Sequence, residues 1–503
     1  MSGASLDKPP RIPALLARAA RDYPERAALV CGTHRIGYQR YARQIRATAS
    51  RLREATRLND RVATLLGNSD LACVMTLALQ CAGKQHVPLN PLYTARELEF
   101  ILRDARPALL VADDASAAVA APLATALGIR LVMEQEARSW MEAGPGGPDT
   151  PMDDAEAQAP ALLQYTGGTT GQPKGVILGR DAIATNVRQR ELVLPTRYGA
   201  DSVLCAMPLF HSYGMAMGLF LAVSAAATLV LLPRYRPDDV FDAIERERIT
   251  LFPGSPTIYT GLLGHARFAH TDWSSLRACY SGSAPLAEEV HRRWEAAVGA
   301  PIYEGYGQTE AGPILTYNGP AGTRHGSVGM PVAGTEVQVV DLASGTTVLP
   351  PGQRGEIRAR GPQIMQGYLE RPDATAEALR DGWLYTGDIG EFAQDGFLYI
   401  RDRKKDLVIS GGYNIYPREV DEVLFLHPDV AEAAAVGWPD SYRGEVIRAF
   451  VVLRPGAAVD EAGLIAHCQS NLARYKVPAV ICILDALPYT GANKVDKKAL
   501  RAA

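Results

Sequence analysis

The chain has 503 residues, 47% of them hydrophobic and 21% charged. That composition excludes disorder, collagen-like sequence and a disulfide scaffold, and its length predicts about three globular units. With 52 Lys and Arg against 55 Asp and Glu, the net charge of −3 argues against a nucleic-acid partner held by a broad basic surface. Seven cysteines lie scattered with no C-x-x-C pair. They argue against a zinc ribbon or a redox motif and predict buried free thiols in a reducing, cytoplasmic compartment.

The N-terminus has no charged segment followed by an apolar core, so no secretory signal is expected. Residues 1–150 alternate helix-like and strand-like segments. In Ala-Arg-Glu-Leu-Glu-Phe-Ile-Leu-Arg-Asp, residues 95–104, Leu98, Ile101 and Leu102 share one helical face, and residues 108–113 read as a buried strand. Such alternation predicts an α/β sheet with parallel elements. Residues 143–160, rich in Gly, Pro, Asp and Ala, read as a linker, and a second α/β stretch follows over 161–318. Within it, residues 214–232 are nineteen consecutive uncharged positions, long enough in principle to span a bilayer. Gly218, Ser224 and Thr228 dilute the run and Pro233 stops it, which predicts a buried helix and strand and no transmembrane span. Residues 326–400 carry short strand candidates, such as 336–340 and 355–360, punctuated by glycines. The charged cluster 401–406 precedes about a hundred residues with their own alternation. The predicted fold class is therefore α/β. Two α/β sheet subdomains and a small β-rich subdomain make up residues 1–402, and a small α+β C-terminal domain spans 403–503.

The strongest local signal is Thr166-Gly167-Gly168-Thr169-Thr170-Gly171-Gln172-Pro173-Lys174-Gly175. Glycines let backbone N–H groups converge on an anion, threonine hydroxyls add neutral donors, and Lys174 adds a point charge. Together they suit a polyphosphate. The P-loop pattern of ordinary NTPases is absent: Pro173 stands where its second Gly is required, and Gly175 where Ser or Thr is. This loop resembles the phosphate loop of the acyl-adenylate-forming superfamily, which holds acyl-CoA synthetases, peptide-synthetase adenylation domains and luciferases. Further motifs follow in the family's order over nearly the whole chain.

The resemblance implies a role for each. His211, in Pro208-Leu209-Phe210-His211-Ser212-Tyr213-Gly214, would gate the acyl pocket beside the carboxylate. Read alone, it equally suits a core histidine. Gly282-Ser283-Ala284-Pro285 would form the adenine-side loop, although the segment could also be a plain turn before a helix that Pro285 begins. In Glu304-Gly305-Tyr306-Gly307-Gln308-Thr309-Glu310, Tyr306 would pack against adenine and Thr309 would contact the α-phosphate. Glu310 would hold Mg²⁺, a hard cation that prefers carboxylate and phosphate oxygens. Its alternative is a carboxylate at a helix N-terminus. Glu304 and Gly307 belong to the same nucleotide set. Asp388, in Tyr385-Thr386-Gly387-Asp388, would accept from both ribose hydroxyls, with Arg403 as a second ribose contact and Lys405 as the hinge of a mobile lid. Gly411, Gly412 and Tyr413 would line a tunnel for coenzyme A, though the glycine pair could also be a plain turn. Lys494 matches the catalytic lysine. Most members have Gly before it, whereas this chain has Asn493, the residue next most tolerant of left-handed backbone.

The implied reaction has two halves. A carboxylate attacks the α-phosphorus of MgATP, releasing pyrophosphate, and the thiol of coenzyme A then attacks the acyl-adenylate. An alternative acceptor is an acyl carrier protein, loaded by a stand-alone adenylating enzyme. A third reading is a non-catalytic nucleotide-binding or membrane-associated protein, and the set Lys174, Glu310, Asp388 and Lys494 argues against it. His211 stands where peptide-synthetase domains usually place an Asp for the substrate ammonium, which disfavours an α-amino acid. Dicarboxylate-using relatives tend to carry arginine at positions that here hold Ala226 and Gly305. The expected pocket wall of Met215, Met217, Ser255, Tyr280, Gly305 and Gly329 is apolar, with glycines expected to leave room for length. An apolar monocarboxylate, fatty or aromatic, is the expected acid. Oligomeric state is not legible.

Overall fold

The computed structural model describes residues 6, 8–142, 159–166, 173–410, 413–490 and 495–502. Two large sheets dominate. The nine-stranded sheet runs in the order Met330–Pro331, Ile314–Tyr317, Ile302–Gly307, Ala278–Ser281, Leu251–Gly254, Ser202–Cys205, Thr228–Leu231, Ala27–Cys31 and His34–Gly37. Its central strands, from Ile302–Gly307 to Ala27–Cys31, are parallel. The seven-stranded sheet runs Gly367–Tyr368, Lys174–Gly179, Pro160–Thr166, Gln85–Leu89, Arg61–Leu65, Leu109–Ala112 and Arg130–Met133, with its last five strands parallel. The helix Asp70–Cys81 is buried at every position. It has no polar face and reads as a core helix rather than a surface one. The Ser69 side chain caps it by accepting from the Ala72 N–H.

The sequence reading divided the α/β region at the linker, but the sheets interleave across it. The strands Ala27–Cys31 and His34–Gly37 join the nine-stranded sheet, and Pro160–Thr166 and Lys174–Gly179 close the seven-stranded one. Strand pairing at such separation leaves no local trace in the sequence. The helix Ala95–Ala105 buries Leu98, Ile101 and Leu102, as its periodicity predicts. Residues 214–232 hold short helical segments and the strand Thr228–Leu231, almost all buried. Among the described residues no helix is long and apolar enough to cross a membrane. All seven cysteines are free, five of them buried.

A five-stranded sheet of Glu336–Val340, Gly355–Arg360, Trp383–Phe392, Leu379–Arg380 and Leu398–Arg403 forms the β-rich part. The last sheet is built wholly from residues beyond Lys405. It comprises Val408–Ser410, Tyr413–Ile415, Val430–Asp440, Gly444–Leu453 and Val480–Ile483, with its own apolar cluster around Val420, Val436-flanking Ala435, Ile447 and Leu464. In both large sheets the carboxyl ends of parallel strands lead into the motifs: Thr166, Pro208, Ser255, Gly282 and Gln308 each follow or end a strand. That is where open α/β sheets bind ligands.

Candidate functional site

Among the motif residues, polar side chains from separate strands hold one another. The Tyr306 hydroxyl donates to Asp388 Oδ2 at 2.6 Å, and Arg403 Nε lies 3.1 Å from Asp388 Oδ1. Asp388 and Arg403 face each other in the antiparallel register of Trp383–Phe392 and Leu398–Arg403. The Asp388 carboxylate holds the Arg403 guanidinium more firmly protonated, and burial together with Asp388 pushes the Tyr306 phenol well up.

Glu310 sits in the short helix Thr309–Ala311 and accepts from the Tyr368 hydroxyl at 2.9 Å. Burial raises its pKa, against the lowering effect of the Tyr368 hydrogen bond and of Arg403. A carboxylate bonded to a neutral hydroxyl suits a hard divalent cation. Lys174 Nζ lies 5.1 Å from the centroid of the Tyr368 ring, so Tyr368 links the lysine to the carboxylate. The sequence reading missed Tyr368. Its strand, Gly367–Tyr368, has two residues and pairs with Lys174–Gly179, too short for any periodicity to register.

Glu304 is 1% exposed. Its Oε1 accepts from the Leu286 N–H at 3.0 Å, which ties it to the loop 282–285, while Oε2 has no protein partner. Burial pushes its carboxyl up to about 7. Gly307 is required by contact: a Cβ there would lie 1.8 Å from the Pro313 carbonyl oxygen. Ser283 is held at φ 72°, and Ala284 and Pro285 continue the loop. The helix begins at Glu288 rather than at Pro285, with Ala287 as its N-cap.

His211 caps the turn Ser212–Gly214 by accepting from the Tyr213 N–H at 3.2 Å. Ser212 Oγ lies 3.4 Å from Thr309 Oγ1. Gln164 Nε2 donates to the Phe210 carbonyl at 2.7 Å, so the strand that ends at Thr166 is tied to the His211 segment. Met215, Ser255 and Tyr280 are buried. The Tyr280 carbonyl accepts from two hydroxyls, Tyr213 at 3.0 Å and Tyr259 at 2.9 Å. A Cβ on Gly282 would press within 2.8 Å of the Tyr213 ring, so the loop 282–285 lies against this aromatic wall.

The expectation that Gly305 and Gly329 leave room for chain length is not met. The Tyr317 ring fills the space beside Gly305, where a Cβ would come within 2.3 Å of it. At Gly329 a Cβ would come within 1.9 Å of the Tyr317 backbone, and φ there is +82°. Both glycines admit protein rather than open a pocket. Next to Ser212 and Met215, a cavity is lined by Ile183, Val187, Phe220 and Arg190. Arg190 is fully buried, donates to Ser224 Oγ at 2.8 Å and pairs with Glu191 at 3.0 Å. Sequence reasoning missed it, although it continues the i, i+3, i+4, i+7 face of Ile183, Asn186 and Val187.

Lys404 pairs with Glu356 at 2.8 Å, and burial lowers the pKa of Lys405. Tyr413 stacks on Tyr475 at 4.6 Å between ring centroids. Gly167, Gly168, Thr169, Thr170, Gly171, Gly411, Gly412 and Lys494 lie outside the described residues. A bridge between Tyr489 and Val495 brackets the segment that carries Lys494.

The AMP-binding enzyme family matches residues 16–369, and the AMP-binding enzyme C-terminal domain matches 419–494. A long-chain-fatty-acid–CoA ligase of Bacillus subtilis is 38% identical, over 88% of this chain and 85% of its own length. A feruloyl-CoA synthase of Amycolatopsis is 36% identical, over 96% and 97%. Among solved structures, ATP-bound MatB of Rhodopseudomonas palustris superposes with a TM-score of 0.90 at 32% identity, covering 98% of this chain and 99% of that one. The chain belongs to the AMP-binding enzyme family, in its acyl-CoA synthetase branch, whose members are AMP-forming acid–thiol ligases.

Proposed function

We propose that this protein activates an apolar monocarboxylic acid, fatty or aromatic, as its acyl-adenylate at the expense of ATP and passes the acyl group to coenzyme A. The observation that carries the reading is the linked set Tyr306–Asp388–Arg403 and Lys174–Tyr368–Glu310. It offers diol acceptors, a cation and a metal-seeking carboxylate. A ribose would take Asp388 and Arg403, and adenine would lie on Tyr306 and the loop 282–285. The unpartnered Glu304 oxygen would face the polar edge of the purine. Thr166, the loop 167–171 and Lys174 would cradle the phosphates. Mg²⁺ on Glu310 would supply charge neutralisation between two anionic reactants. Thr309 would orient the α-phosphate, and Lys494 would stabilise the charge that develops as the carboxylate attacks. His211, Met215, Ser255 and Tyr280 would bound the acid.

In this reading residues 403–503 form a lid that turns about Lys405. One orientation would bring Lys494 to the phosphates, and the other would bring Gly411, Gly412 and Tyr413 to a pantetheine arm. Two relatives named for a long-chain fatty acid and for ferulate support an apolar acid without choosing between the classes.

The test is pyrophosphate release with MgATP over acids from acetate to long-chain fatty acids, with benzoate, cinnamates, dicarboxylates and amino acids, each with and without coenzyme A. Turnover that requires coenzyme A and an apolar acid is expected. Acyl-adenylate that never reaches coenzyme A would point instead to a carrier protein, and turnover confined to dicarboxylates would overturn the choice of acid.

A further inference from the structure

Far from the motifs, three metal-ligating side chains converge. His291 and Glu295 lie one turn apart on the helix Glu288–Val298, and His325 comes from the loop before Met330–Pro331. Glu295 Oε1 lies 3.2 Å from His291 Nε2, and Oε2 lies 3.1 Å from His325 Nε2. The ligand atoms all fall within 4.8 Å of one another, and the two imidazole centroids are 4.2 Å apart. We propose that His291, Glu295 and His325 bind one divalent transition-metal ion of borderline hardness, of which Zn²⁺ is the representative.

Three observations carry this. First, zinc bonds of about 2.0–2.1 Å to nitrogen or oxygen in a tetrahedron put neighbouring ligand atoms roughly 3.3 Å apart, close to both N···O distances here. Second, the carboxylate is held in place by the backbone: Glu295 Oε1 accepts from the Ile302 N–H at 3.1 Å, so a group outside the trio orients the carboxylate toward both imidazoles, as outer partners of metal ligands do. Third, access is one-sided. The His291 side chain is 2% exposed, Glu295 27% and His325 35%, so three protein ligands leave an outward position for water.

Two imidazoles favour Zn²⁺, Co²⁺, Ni²⁺ or Cu²⁺ over Mg²⁺ or Ca²⁺, which separates this site from Glu310. It sits at the amino end of Ile302–Gly307, whereas Tyr306 and Glu310 lie at the carboxyl end, about 15 Å along the strand. The ion would fasten the helix Glu288–Val298 to the loop that carries His325. Asn318 anchors that loop by donating to the Glu304 carbonyl at 3.1 Å.

The experiment is calorimetric titration of ZnCl₂ into tag-free, chelator-stripped full-length protein at pH 7.5 without ATP. Wild type is compared with His325→Gln, His325→Cys and His427→Ala. His427 meets His467 edge-on at 5.1 Å between ring centroids, but each of those rings engages the backbone, so the pair serves as a control. One saturable site is expected in wild type and in His427→Ala, with excess Mg²⁺ failing to compete. His325→Gln keeps a hydrogen-bonding group for Glu295 yet should weaken binding beyond the roughly 10–100-fold that loss of an outer partner brings. His325→Cys, which restores a ligand, should recover it. No saturable binding in wild type, or equal binding in His325→Gln, would overturn the proposal.

Discussion

The two groups of motif residues are built on opposite plans. Around Asp388, where we propose the nucleotide, charged and hydroxyl groups from different strands hold one another in place, as Tyr306 and Arg403 do. Around Tyr280, where we propose the acid, tyrosine hydroxyls are spent on backbone carbonyls and a tyrosine ring occupies the space beside Gly305. A group waiting for a ligand can be read from its donors and acceptors. A cavity can be read only from what fills it. Gly305 teaches the difference, because a missing Cβ creates room only if no neighbour takes it.

Substitutions in the two groups should therefore fail differently. Lys494→Ala is expected to slow acyl-adenylate formation by about 10²–10³ while largely sparing thioester formation from supplied acyl-adenylate. Single-turnover assays of each half-reaction read this directly, and an equal fall in both would remove Lys494 from the first step. Glu304 gives the next largest effect, in stability. Its carboxyl is held up at about 7 against an ordinary 4.5, so between those values the folded protein keeps a proton that the unfolded chain has released. Stability attributable to this group falls as pH rises from about 4.5 to 7 and stays low above. Glu304→Gln should be more stable than wild type at pH 8 by up to about 3 kcal/mol, with the gain vanishing below pH 4.5. Parallel urea melts across pH would show it, and a pH-independent difference would break the assignment.

Asp388→Ala removes charge-assisted hydrogen bonds worth roughly 1.5–3 kcal/mol, so the KM for ATP should rise about 10–100-fold with the acid KM little changed. Gly305→Ala drives a methyl group into the Tyr317 ring and should cost about 1–3 kcal/mol of stability by overpacking, visible as a lower Tm with every acid. An unchanged Tm with loss of long acids alone would mean that the glycine does open the pocket. Tyr368→Phe loses one hydrogen bond to Glu310, worth about 1 kcal/mol. It should weaken the apparent Mg²⁺ dependence by roughly fivefold and leave thioester formation untouched.

The family was legible from sequence because its motifs are written in contiguous strings. The segments 166–175, 304–310 and 385–388 each carry several donors or acceptors within one strand-to-loop transition. The strands 336–340 and 355–360 and the helix Ala95–Ala105 were legible from short-range periodicity. What escaped depends on distance in the chain. Tyr368 acts through a two-residue strand on the edge of a sheet begun three hundred residues earlier. The Tyr317 ring decides the meaning of Gly305 from the neighbouring antiparallel strand, where the two residues stand in register. Interleaving of the two large sheets hid the subdomain boundaries for the same reason.

The Tyr259 hydroxyl has one proton but two carbonyls within reach, Phe252 at 2.8 Å and Tyr280 at 2.9 Å, and the Tyr213 hydroxyl reaches the second of them at 3.0 Å. Two protons thus serve two buried carbonyls, with none to spare. Losing either hydroxyl leaves one carbonyl short of its side-chain donor, at a cost of about 1 kcal/mol. The tyrosines are rivets as well as wall, and the sequence cannot drift to phenylalanine at either of them without loosening the strands they pin.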